Sequence, residues 1–165
     1  MRAVQERRAV APLRALPPSA LLVALGVIVV DHLTKWWALR TLIDHNIDLV
    51  WKLRLNLVRN GGGAFGLGSR YAPLFALAAL GIVLFLFRSG GTFQSRWSHI
   101  AVGLVLGGAV GNLLDRLLRD GHGFLGGRVV DFIDIQIWPV WNVADMAVSI
   151  GAVLLALTAD TRARE

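Results

Sequence analysis

Four stretches of this chain are so apolar and so sparsely charged that a bilayer is their natural solvent. They cover about residues 19–39, 72–87, 97–117 and 140–158. At ~1.5 Å per residue, about 20 residues cross the ~30 Å hydrocarbon core. The second stretch is the shortest. Apolar residues make up 55% of the chain and charged residues 17%, with a mean hydropathy of +0.59. Soluble domains run at ~45–50% and ~25%. A chain of 165 residues then has room for four membrane helices with short connections and a single domain over 1–165. Arg2, Arg7, Arg8 and Arg14 precede the apolar run Leu21–Val30, as in a secretory signal. No small-x-small cleavage site follows, and the run continues to Trp37, so it reads as an uncleaved first membrane helix.

Between the first two helices, Leu49, Trp51, Leu53, Leu55 and Leu57 alternate with Lys52, Arg54 and Asn56. This period of two predicts a strand with one apolar face. A second alternating run, Asp131 to Trp138, follows the third helix. An open sheet edge is not tolerated in lipid, so both strands belong on the membrane surface. With four helices, the two loops holding them emerge on the same side. The expected fold class is therefore a mainly α membrane protein with a small extracytoplasmic β-sheet. Arginines are denser at the termini and in the Arg88–Arg96 turn, which places both termini in the cytoplasm. The net charge of +6 fits anionic headgroups, and no nucleic-acid motif accompanies it.

Polar groups within the apolar helices carry the information, because each costs at least ~2.5–3.5 kcal/mol at mid-membrane. Asp31 and Lys35 share a face at i, i+4 and read as a structural ion pair. Trp36 and Trp37 fit an interfacial belt. Gly103, Gly107, Gly108 and Gly111 read as a close-packing face. Asn112, Asp115 and Arg116 follow at spacings that keep them on one face. Asn142 suits a helix cap. Asp145 has no cation within a turn of it and is a functional candidate. Asp131 is its natural companion, and Asp134 is a competitor on the opposite face of the strand. Two carboxylates held close share a proton, which supports hydrolysis by water without a metal or a covalent intermediate. Carboxylates near a membrane also relay protons in transporters, so that reading stands beside the hydrolytic one. A non-catalytic scaffold built on the glycine-rich helix is a third.

Other chemistries lack their residues. The chain has no cysteine. It has no H-E-x-x-H, and His32, His45, His99 and His122 lack helical metal-ligand spacing. Neither G-x-S-x-G nor a phosphate loop is present. No metal or cofactor is expected.

Five blocks, in order, resemble the signal peptidase II (lipoprotein signal peptidase) family. Asp31-His-Leu-Thr-Lys35 resembles D-x-x-S/T-K, and Asn60-Gly-Gly62-Gly-Ala64-Phe65 resembles N-x-G-x-A-F. The run from Gly107 and Gly108 through Asn112 to Asp115-Arg116 resembles G-G-x-x-G-N-x-x-D-R. Val129-Val-Asp131-Phe132 resembles V-V-D-F, and Asn142-Val-Ala144-Asp145 resembles N-x-A-D. The resemblance spans about Asp31 to Ile150. It implies that Asp131 and Asp145 are a catalytic pair. It further implies that Asn60, Asn112, Arg116 and Asn142 bind substrate or hold the site's polar network, that Asp115 steadies Arg116 and nearby loops, and that Asp31, Lys35, Gly62, Ala64, Phe65 and Gly108 are supporting. The implied activity is removal of the signal peptide from diacylglyceryl-modified prolipoproteins, just before the lipidated cysteine. The implied setting is the bacterial inner membrane, with the site near its outer face. The implied partners are lipidated precursors and membrane lipids, and the chain is expected to be a monomer. Departures from the pattern are a longer 116–129 segment, a shorter 131–142 stretch, and Trp138 and Trp141 in place of phenylalanines.

Overall fold

A computed structural model describes residues 15–62, 71–121 and 123–162. In chain order the elements are helix α1 (Pro18–Thr41), strands β1 (Ile47–Val50) and β2 (Leu53–Asn60), helices α2 (Ala72–Arg88) and α3 (Arg96–Leu118), strand β3 (Val129–Asp134) and helix α4 (Val143–Arg162). Each boundary follows from local chemistry. Pro18 opens α1 where its missing N–H is harmless. Ser95 and Ser98 form a reciprocal capping box at the start of α3. Asn142 precedes α4, and its Oδ1 accepts from the Asp145 amide at 2.9 Å.

α3 is the central helix, packed against α1, α2 and α4. Its glycines make that possible. A Cβ on Gly103 or Gly107 would meet Val23 or Val27 of α1 at 2.6 and 2.7 Å, and one on Gly108 would strike the Ala144 carbonyl of α4. These contacts agree with the close-packing face expected from sequence. α1 buries Ala20, Ala24, Asp31, Lys35 and Ala38, while Leu22, Leu25 and Leu33 stand exposed. α1 thus hides charge and small residues and turns its large apolar side chains outward, the reverse of a helix in a soluble protein. α1 and α3 are long and apolar enough to cross a membrane. α2 and the apolar part of α4, Val143–Thr158, are shorter.

The three strands form one antiparallel sheet in the order β1-β2-β3. Strands from the 41–72 and 118–143 connections therefore meet at one end of the bundle. The long alternating run seen in the sequence is divided: β1 and β2 form a hairpin that turns at Trp51 and Lys52. Leu55 and Leu57 pack with Phe132, Ala38 and Leu42, but Leu49 and Trp51 are exposed. Alternation does not reveal the reversal because Trp51, at φ 52°, takes a left-handed turn position that normally falls to glycine or asparagine. The second run also stops early. β3 ends at Asp134, Gln136 has φ 60°, and Ile137 is exposed.

Gly107→Ala is expected to push α1 from α3 and to cost ~1–3 kcal/mol, as overpacking does. Gly26→Ala, which meets nothing within 4 Å, is expected to leave stability unchanged or raise it. Thermal unfolding of both variants in detergent checks the contrast.

Candidate active site

At the sheet end of the bundle, α2, α3, β3 and the start of α4 enclose a cavity of about 550 Å³. Asp131, Asp145, Asn60, Asn112 and Arg116 all line it. Residues distant in sequence are brought together by pairing and capping. Asn60 ends β2 opposite Val129, so its amide lies beside β3 and donates to Asp131 Oδ2 at 2.9 Å. Asn142 Nδ2 donates to Asp131 Oδ1 at 2.7 Å and to Asn112 Oδ1 at 3.1 Å. Asn112 Nδ2 donates in turn to Asp145 Oδ1 at 2.7 Å. The Asn142 amide N–H donates to Asp145 Oδ2 at 3.2 Å, so Asn142 and Asp145 cap one another across the first turn of α4. One asparagine thus touches both carboxylates.

Asp131 is 2% exposed. Burial, and next the neighbouring Asp145 carboxylate, push its pKa up to about 7, against the pull of hydrogen bonds from Asn60 and Asn142. Asp134 behaves oppositely. Burial opposes its ionisation, but Arg54 Nε at 2.7 Å, the Gln136 amide at 2.7 Å and Asn56 outweigh it and hold the carboxyl below its ordinary range. Asp134 is a sheet staple, turned away from the cavity, and its claim as a competitor lapses.

Beneath the cavity lies a buried charged layer. Lys35 Nζ reaches Asp31 Oδ2 at 2.7 Å, Asp115 Oδ2 at 2.9 Å and Asn112 Oδ1 at 3.0 Å. Asp31 Oδ1 accepts from the Ala144 amide at 2.9 Å, so this carboxylate also caps α4. Sequence spacing could not reveal that contact, which crosses from α1 to α4. Asp115 holds the start of β3. It pairs with Lys35 and Arg119 and accepts from the Val130 amide at 3.2 Å. Arg116 donates instead to the Gly127 carbonyl, at 3.4 Å. The i, i+4 spacing of Asp115 and Arg119 is a sequence signal for this ion pair.

The Gly62 amide donates to Asn60 Oδ1 at 3.0 Å, which orients the Asn60 side chain. Ala64 and Phe65 lie outside the described residues. Sequence reasoning missed the apolar wall from α2, including Phe75 and Ile82, because that helix is apolar all round and gives no periodic cue. Trp138 and Trp141, packed edge to face at 6.4 Å, complete the rim. No cluster of three potential metal ligands occurs among the described residues.

The fold is that of a bacterial membrane enzyme. Two solved structures so described, determined by the in meso method, superpose with TM-scores of 0.72 and 0.69. They are 29% and 27% identical, and the matches cover 92% and 88% of this chain and 94% and 96% of theirs. A family model described as signal peptidase (SPase) II matches residues 23–160, and the chain belongs to that family of aspartic peptidases. The lipoprotein signal peptidase of Mycobacterium leprae (strain Br4923) is 38% identical over 156 residues, 93% of this chain and 77% of that protein. That of Rhodococcus jostii (strain RHA1) is 47% identical over 103 residues, 62% of this chain. This second match spans about half of the relative, 52% of its length.

Lys35→Met is expected to destabilise the protein by ~3–5 kcal/mol, because it strands the Asp31 and Asp115 carboxylates without their cation. Lys52→Met, at an exposed hairpin position, is expected to change stability by less than ~0.5 kcal/mol. Unfolding midpoints in detergent measure both.

Proposed function

We propose that this chain removes signal peptides from diacylglyceryl-modified prolipoproteins, with Asp131 and Asp145 as the catalytic pair. The observation that carries the reading is one cavity lined by two carboxylates from separate elements, joined through Asn142, with Asp131 raised to about 7.

The chemistry follows from proton sharing. The ionised carboxylate takes a proton from a water held between the pair. The neutral carboxyl donates to the scissile carbonyl oxygen as it becomes tetrahedral. Collapse breaks the C–N bond, and a carboxyl proton passes to the departing amine of the lipidated cysteine. Asn112 and Arg116 offer hydrogen-bond donors to the extended substrate backbone, and Asn60 and Asn142 hold Asp131 in position. The apolar wall of Phe75, Ile82, Trp138 and Trp141 accepts apolar residues before the cut. Asp31, Lys35 and Asp115 support the pair from below, Gly108 lets α4 approach α3, and the Gly62 amide orients Asn60.

In this reading 1–165 is a single domain with four membrane spans. Both termini lie in the cytoplasm and the sheet lies at the outer face. The outward apolar faces of the helices support the membrane setting. The joining of both loops in one sheet supports an even number of spans between them. A lipid-anchored precursor then reaches the site by diffusion in the membrane plane, and a monomer suffices.

Purified protein incubated with lipidated and unlipidated precursor is expected to cut only the lipidated one. Asp131→Asn and Asp145→Asn are each expected to retain their unfolding midpoints and to lose at least ~10²–10⁴-fold in rate. Full activity in either variant would remove the pair from the mechanism.

The pH profile supplies a separate check. A carboxyl raised to about 7 is protonated below that pH and ionised above it. The proton-sharing state is therefore lost as pH rises through about 7. The cleavage rate is expected to fall above that value, measured with lipidated precursor at fixed ionic strength.

A further inference from the structure

Strands β2 and β3 serve two cavities at once. Alternate residues of a strand face opposite sides. Asn60, Val129 and Asp131 line the candidate active site. Their neighbours Arg59 and Val130, paired across the same two strands, line a second cleft of about 590 Å³ on the other face. That cleft also takes in Arg119 from the end of α3 and Arg128 from the approach to β3. Three arginines from three segments thus line it, against Asp120 as the one carboxylate among the described residues of its lining.

Among the described residues, Arg59 and Arg128 form no ion pair, and Arg119 is tethered through Nε to Asp115. Unpaired like charges facing one cleft repel each other, and an anion between them relieves that repulsion. Arginine offers parallel N–H donors that match the oxygens of a phosphate. The surroundings say what carries the phosphate. Leu39 and Leu118 line the cleft, and Leu117 and Leu118 are 55% and 76% exposed. Next to Leu39 on α1, Arg40 lies 4.2 Å over the exposed ring of Trp36, as in an interfacial belt. A phosphate here sits where apolar side chains are free to meet acyl chains. With three cations and one carboxylate, the cleft favours a head group that carries net negative charge over one that adds an ammonium.

We infer that the cleft formed by Arg59, Arg119 and Arg128, on the face of β2–β3 opposite the candidate active site, binds the phosphodiester head group of an anionic phospholipid. The inference rests on the chain's being a membrane protein and is independent of which residues cut the precursor, since its test contains no cleavage step.

The test uses the full chain in neutral detergent, with phosphatidylglycerol or phosphatidylcholine added and retained lipid counted by native mass spectrometry. Wild type is expected to retain phosphatidylglycerol in preference to phosphatidylcholine. Arg59→Gln/Arg128→Gln is expected to weaken that retention roughly tenfold or more, and Arg128→Gln alone about fivefold. Arg88→Gln/Arg96→Gln, an equal loss of charge at the other end of the bundle, is expected to match wild type. Equal weakening in both double variants would reduce the effect to overall charge and overturn the site. Equal retention of the two lipids would overturn the preference for an anionic head group. Displacement of phosphatidylglycerol by an equal concentration of inorganic phosphate would make it a free-anion site and overturn the lipid assignment.

Discussion

The buried ammonium of Lys35 is the contact on which the rest of the structure depends. It is fully buried, yet it lies within 3.0 Å of oxygens from Asp31, Asp115 and Asn112. Each of those side chains does a second job. Asp31 caps α4 at Ala144, Asp115 accepts from the Val130 amide next to Asp131, and Asn112 donates to Asp145. One cation therefore sets the relative positions of α1, α3, β3 and the first turn of α4. A buried ion pair earns little stability against a well-packed apolar replacement. Its value here is geometric, because charges that must pair leave the helices little freedom to slide or rotate.

The placement of Asp145 follows from the same economy of contacts. It is the third residue of α4, where its carboxylate reaches back to the amide of Asn142. That position is a helix N-terminus, whose unpaired N–H groups favour a carboxylate. Asp131 lacks such support and sits instead on a strand, under amides from Asn60 and Asn142. The two acids thus differ in surroundings although they face one cavity. Like charges facing one cavity disfavour double ionisation whatever their surroundings, and a difference in surroundings biases which carboxyl keeps the proton.

Much of this was legible in the sequence, for identifiable reasons. The helices announce themselves because apolar runs of that length have few alternatives. The glycines of α3 were readable because their four-residue spacing has a direct packing consequence. The acids and asparagines stood out because polar groups are costly in such helices. What stayed hidden was long-range. The hairpin turn at Trp51 uses a residue that does not signal a turn. Asp115 bonds to Arg119 and Lys35, while the neighbouring Arg116 turns to Gly127, which itself donates back to the Arg116 carbonyl. The capping of α4 by Asp31 joins residues 113 positions apart.

The sheet has only three strands, and its size is instructive. Strands of this kind need packing against something else. Here Leu55, Leu57 and Phe132 rest on Ala38 and Leu42 at the end of α1. The sheet is thus held by the bundle, and the bundle holds its acids in register through the sheet. Neither half encloses the cavity without the other. Because pleating sends adjacent side chains to opposite faces, a one-residue slip of β3 would exchange Asp131 with Val130 and turn the carboxylate toward the arginines. The bond from the Val130 amide to Asp115 and the pairing of Ile133 with Trp141 oppose that slip from both ends of the strand. The register of β3, more than the presence of any single acid, is what makes two distant carboxylates neighbours.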